Sequence, residues 1–127
     1  MTLFWIAIGG ALGAVSRYGV ATSVFKWAGK PFPYGTLSVN LLGSLVIGMA
    51  YVWLVQQEWG SEHHKHLAMV GFLGAFTTFS TFSLESVGLL EQQRWLAAFG
   101  YIGTSLVGCM MATVAGMWIA RQLSSAG

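Results

Sequence analysis

Apolar residues run almost without interruption in four stretches of the chain, at about residues 3–25, 34–55, 67–90 and 95–119. A helix needs about 20 mostly apolar residues to cross the hydrocarbon core of a bilayer, so each stretch predicts one transmembrane helix. Short polar segments separate them. Lys26, Lys30, Pro31 and Pro33 mark the first loop, Glu58 and the run Glu62-His63-His64-Lys65-His66 the second, and Glu91 and Arg94 the third. No length is left over for a soluble domain, so the expected architecture is all-α, a single four-helix transmembrane domain over residues 1–127. The first stretch opens without Lys or Arg and shows no cleavage site, so it is expected to remain as a span rather than be removed as a signal peptide.

One stretch breaks the pattern. Within the third span, Gly71-Phe72-Leu73-Gly74-Ala75-Phe76-Thr77-Thr78-Phe79-Ser80-Thr81-Phe82-Ser83-Leu84-Glu85 is too polar to face lipid. At 100° per residue on a regular helix, the hydroxyls of Thr77, Thr78, Ser80, Thr81 and Ser83 point around nearly the whole circumference. Such a segment must be enclosed by protein. Two glycines followed by five hydroxyl residues predict a broken third helix, because non-helical backbone at membrane depth persists only where it is buried or lines a cavity.

The other spans carry isolated polar positions. Gly9, Gly10 and Gly13 share nearly one face of the first span and predict a close helix contact. Arg17, farther along that span, needs water, carbonyls or a carboxylate at membrane depth, or reaches the interface by snorkelling. In the second span Asn40 shares a face with Thr36, Gly43 and Ser44, and its amide either ties two helices together or faces a ligand. Glu85 pairs with Arg17, carries protons, or faces the aqueous end. The fourth span shows two stripes: Tyr101, Ser105, Cys109 and Thr113 as a weakly polar ladder, and Gly100, Thr104, Gly108, Ala112 and Gly116 as a row of small residues. The ladder either lines a path or bonds back to carbonyls one turn earlier. Tyr51, Trp53 and Trp59 read as an interfacial belt.

Composition agrees with this reading. Of 127 residues, 55% are apolar and 8% charged, with a mean hydropathy of +0.65, which marks an integral membrane protein. A net charge of +2 makes no case for a nucleic-acid partner. The single Cys109 cannot form an intrachain disulfide. The histidine run lacks an H-E-x-x-H arrangement and further ligands, so it reads as a solvated loop rather than a metal site. No grouping of nucleophile, base and orienting acid is present, so catalysis has no candidate. With four crossings, Lys65, Arg121 and the terminal amine share one side while Lys26, Lys30 and Arg94 share the other. The sides balance, so the positive-inside rule selects no orientation. A chain inserted both ways pairs as an antiparallel homodimer.

Gly9-Gly10-Ala11-Leu12-Gly13-Ala14-Val15-Ser16-Arg17-Tyr18, Thr36-Leu37-Ser38-Val39-Asn40-Leu41-Leu42-Gly43-Ser44 and the block from Gly71 to Glu85 resemble the three signature blocks of the Fluc-type bacterial fluoride channels. The resemblance implies an antiparallel dual-topology homodimer of four-helix subunits with a broken third helix, in the bacterial inner membrane, and it implies passive fluoride export. It implies that Phe79 and Phe82 turn ring edges to fluoride, and that Asn40 lies on the pathway. Tyr101 and Ser105 would form a polar track beside Ser80 and Thr81, with Cys109 where a hydroxyl is expected. Arg17 and Glu85 would be supporting charges at the vestibule and near the filter. The carbonyls of Gly74 and Thr77, two from each subunit, would hold a structural sodium ion at the dimer centre; no protein cofactor is implied. A small four-helix proton-coupled multidrug exporter has the same length, but that chemistry needs a carboxylate in the first span, where this chain offers Arg17.

Overall fold

The structure, a computed structural model, describes residues 2–28, 32–58 and 60–126; Lys30, Pro31 and Trp59 lie outside them. All regular structure among the described residues is helical. Four helical runs are long and apolar enough to cross a membrane: Thr2–Trp27, Tyr34–Gln56, Glu62–Glu91 and Trp95–Ser124, referred to below as the first to fourth spans.

The helices outrun the apolar stretches, because helix ends are set by how terminal N–H and C=O groups are satisfied rather than by hydropathy. The third span begins at Glu62, not near residue 67, and the fourth continues as helix to Ala126, not to 119. Ser61 precedes the third span in extended geometry. Its N–H donates to Nδ1 of His64 at 3.0 Å, so the histidine at the third helical position closes a capping box. The run expected to be a solvated loop is therefore the structured start of a helix. His66 Nδ1 lies 2.8 Å from the Glu62 carbonyl, and His63 stacks on Trp5 at 5.3 Å. At the other end of this span Gln93 adopts a left-handed φ of 59°. Gln93 N–H and Arg94 N–H return to the carbonyls of Leu90 and Leu89, closing the helix C-terminus.

Contacts between span ends define an alternating up-and-down bundle. Trp53 Nε1 donates to Ser124 Oγ at 3.1 Å and Arg121 to Gln56 at 3.2 Å, joining the ends of the second and fourth spans. Together with the Trp5–His63 stack, these bonds put the start of the first span and the end of the fourth beside the second loop. Phe32 meets Tyr101 edge-on at 5.5 Å, so the first and third loops share the opposite end.

Glycines set how closely the spans approach. A Cβ on Gly9 or Gly13 would strike the Leu67 or Phe72 carbonyl, so the first span lies directly on the third span's backbone. Gly48 and Gly116 do the same between the second and fourth spans, where Thr113 Oγ1 donates to the Ser44 carbonyl at 3.1 Å instead of bonding within its own helix. The small-residue row is used unevenly, since Gly108 touches Leu41 while a Cβ on Gly100 would meet nothing within 4 Å. Large apolar side chains such as Leu3 (82% exposed) and Leu96 (90%) point outward. That is the expected surface when the surroundings are hydrocarbon.

Candidate functional site

Helical geometry stops at Phe76 and resumes at Phe79, with Thr77 (φ −82°, ψ 158°) and Thr78 (φ −149°, ψ 122°) extended between them. Extended residues drop their N–H and C=O groups from the helical ladder, and at this depth those groups need other partners. Asn40 supplies them. Its Nδ2 donates to the Thr78 carbonyl at 3.0 Å and its Oδ1 accepts the Thr78 N–H at 2.9 Å, so one side-chain amide replaces a rung of backbone pairing. Thr78 Oγ1 accepts the Thr81 N–H at 3.2 Å and caps the helix that follows. The Thr77 N–H and hydroxyl both go to the Leu73 carbonyl, at 3.1 and 3.0 Å. Gly43, three residues after Asn40, lets the break come this close: a Cβ there would collide with Thr77 Cγ2.

This wiring diverts two donors from carbonyls at the end of the first half-helix. In a continuous helix Gly74 C=O would accept from Thr78 N–H and Thr77 C=O from Thr81 N–H. Those donors are taken by Asn40 Oδ1 and Thr78 Oγ1. Both oxygens belong to the hard carbonyl class that suits sodium-like cations, and Gly74 lies at the negative end of the preceding half-helix.

A cavity of about 330 Å³ opens beside the break. Its wall contains Asn40, Thr77 and Thr78, the rings of Phe79 and Phe82, and Ser105 with Cys109 and Met110 on the fourth span. Asn40 has two amide N–H groups and gives one to Thr78, which leaves the other for the cavity. Ser105 is 5% exposed, and its Oγ has no hydrogen-bond partner in the protein. A buried hydroxyl without a partner costs roughly 1–3 kcal/mol unless something in the cavity takes its bond. The Phe79 and Phe82 rings are 5.5 Å apart.

The remaining expected residues divide by position. Tyr101 is fully buried and its hydroxyl donates to Glu85 Oε1 at 3.1 Å. Glu85 is thus engaged by Tyr101, and among the described residues Arg17 makes no ion pair with it. Arg17 instead lines a smaller cavity, about 160 Å³, with Thr36, Thr78 and Thr81. Ser80 and Gly74 are exposed on the single chain, as is Phe79 at 72%. The fourth-span hydroxyls do not bond back within their own helix: Tyr101 goes to Glu85, Thr113 to Ser44, and Ser105 to no protein atom. Sequence reasoning passed over Thr78 and Gly43 as individual site residues. Thr78 is a residue type that favours the N-cap, but Thr77, Ser80 and Thr81 beside it are too, so the sequence carried no signal that singled it out.

The chain matches the family model described as CrcB-like protein, Camphor Resistance (CrcB), over residues 4–117. It is 45% identical over 123 residues to the fluoride-specific ion channel FluC of Magnetococcus marinus, covering 97% of this chain and 100% of that one. It is 49% identical over 121 residues to the protein of the same name from Hahella chejuensis, covering 95% of each, and 40% identical over 120 residues to that of Sorangium cellulosum, covering 94% of each.

Proposed function

We infer function from the premise that this chain belongs to the CrcB-like family of fluoride channels: it is a multi-pass protein of the bacterial membrane and a fluoride-selective channel. Fluoride enters a cell as the neutral acid, dissociates in the more alkaline cytoplasm, and leaves passively through the protein, which relieves toxicity. The observation that carries this reading in the geometry is the buried Ser105 hydroxyl, partnerless in the protein, on a cavity shared with Asn40, Phe79 and Phe82.

Fluoride is small, hard and strongly hydrated, so a pathway must replace its water with many weak donors. A fixed cation in contact would hold it too tightly to leave. The free Asn40 N–H and the Ser105 hydroxyl supply such donors, with Ser80 and Thr81 extending the set; Tyr101, whose one hydroxyl proton goes to Glu85, would border the track with its ring. The positive ring edges of Phe79 and Phe82 complete the shell while staying compatible with apolar surroundings. Cys109 contributes a weaker, softer group where a hydroxyl would serve better, and Arg17 adds positive potential at a second cavity on the break.

The working unit in this proposal is an antiparallel dual-topology homodimer of single-domain subunits with a broken third helix. Sodium bound at its centre by the Gly74 and Thr77 carbonyls of both subunits would supply fixed positive charge near the anion path and hold the subunits together. The displaced donors at the break support that ligand set. Neither catalysis nor a protein cofactor is part of the proposal. The multidrug-exporter alternative gains no support, because the first span contains no carboxylate.

Purified protein in liposomes, followed with a fluoride electrode, tests the reading. Fluoride loss should be rapid without a proton gradient, chloride loss undetectable, and Phe79→Ile or Phe82→Ile severely impaired. Equal chloride flux would reject it.

A further inference from the structure

A second large cavity, about 390 Å³, opens at the end of the molecule that carries the first and third loops. A row of rings connects it to the cavity at the break. Phe82 is 5.1 Å from Tyr101, Tyr101 5.5 Å from Phe32, and Phe32 4.9 Å from Tyr34. Phe82 lines the first cavity, and Phe32 and Tyr34 line the second. The second cavity is also walled by the buried Thr36 and by Glu85, which holds the Tyr101 hydroxyl. The far end of the ring row therefore opens into a chamber that none of the expected pathway residues accounts for except Glu85.

Arg94 stands on that chamber. Among the described residues its guanidinium has no ion pair or hydrogen bond; the single ion pair among them, Lys65–Glu62, lies at the other end of the molecule. Its backbone is anchored on both sides: the N–H donates to the Leu89 carbonyl at 3.0 Å and the C=O accepts from Ala98 N–H at 2.9 Å. The second bond makes Arg94 the residue that opens the fourth span, a 32-residue helix. A cation beside the positive end of a helix is unfavourable for the helix itself, and the two fields add at the chamber mouth. An anion in the chamber also meets the carboxylate of Glu85, which repels it; Arg94 on the same chamber offsets that repulsion.

We propose that this chamber is a mouth of the fluoride path and that Arg94 is the residue that collects the anion there. The inference rests on the fluoride-channel reading above. Positive charge in a low-dielectric cleft raises local anion concentration and passage rate, and such steering is lost as salt screens it. The screening length falls from about 30 Å at 0.01 M salt to about 3 Å at 1 M.

Single-channel fluoride currents in planar bilayers of neutral lipid test this. At low ionic strength R94E should lose current on the order of tenfold, R94Q should lose less, and R94K should stay near the parent. The differences should close as an impermeant salt is raised toward molar. Gly88→Phe tests the chamber directly. Gly88 lines it, and a Cβ there meets nothing within 4 Å, so the ring has room to enter and should suppress current at every salt concentration. R94E matching the parent at low salt, or Gly88→Phe conducting normally, overturns the proposal. A defect confined to bilayers containing anionic lipid also overturns it, since Arg94 would then serve headgroups. A silent parent sinks the channel reading as well, whereas a conducting parent with indifferent variants sinks this inference alone.

Discussion

Asn40 and Ser105 lie on the same cavity but do different work, and their bonding tells them apart. Two of the three amide bonding groups of Asn40 hold the Thr78 backbone, so Asn40→Ala strands an N–H and a carbonyl at membrane depth. Each costs about 1–3 kcal/mol. The Ser105 hydroxyl holds no protein atom, so Ser105→Ala removes no internal bond. In matched thermal melts in detergent, Asn40→Ala should lose stability and current together, while Ser105→Ala should keep its melting temperature and lose current. A Ser105→Ala variant that is markedly unstable would mean that its hydroxyl has a structural partner after all. The sequence left open whether Asn40 was glue or ligand-facing, and whether the ladder carrying Ser105 lined a path or bonded back to its own helix. Only the bond inventory separates them, because hydrogen-bond partners 38 residues apart in sequence leave no trace in periodicity.

At the scale of the element, the third span is two half-helices joined by extended Thr77 and Thr78. Its first half is pressed against the first span through Gly9 and Gly13. Glycine in a helix costs about 1 kcal/mol relative to alanine, so its retention needs a reason, and here the reason is contact with carbonyls at Leu67 and Phe72. Gly13→Ala should therefore displace the third span and yield protein that aggregates or elutes aberrantly. Gly19→Ala, on the same helix with nothing within 4 Å of the added methyl, should be tolerated and raise stability by roughly 1 kcal/mol. Equal behaviour of the two variants on size-exclusion chromatography would refute the contact. The G-x-x-x-G spacing announced a close neighbour. It could not say which one, since the second, third and fourth spans are all apolar enough to pack against it.

For the whole molecule, the first and third loops lie at one end, and the described start and end of the chain lie with the second loop at the other. Cations are divided almost evenly between those ends, which under the positive-inside rule leaves both orientations open. Glu91→Lys with Gln93→Arg adds positive charge to one end and should bias insertion one way. Expressed alone, this variant should give cells weak fluoride resistance. Co-expression with an oppositely biased Gln57→Arg, Glu58→Lys partner should restore it. Full resistance from either biased chain alone would argue against antiparallel assembly.

The order of apolar and polar residues was enough to determine that this chain is a four-span, all-helical membrane protein with its polar centre in the third span, because hydrocarbon tolerates only self-satisfied backbone and excludes unpaired polar groups wherever they fall. Three blocks of residue types were also enough to point to the channel family that the chain proved to match. What the tertiary structure alone decided is how the centre is wired: Asn40 on Thr78, Tyr101 on Glu85 rather than Arg17 on Glu85, Ser105 left open, and Arg94 on a chamber at the far end of the ring row. Those relations depend on the rotation and depth of one helix against another, and side-chain packing between spans sets both.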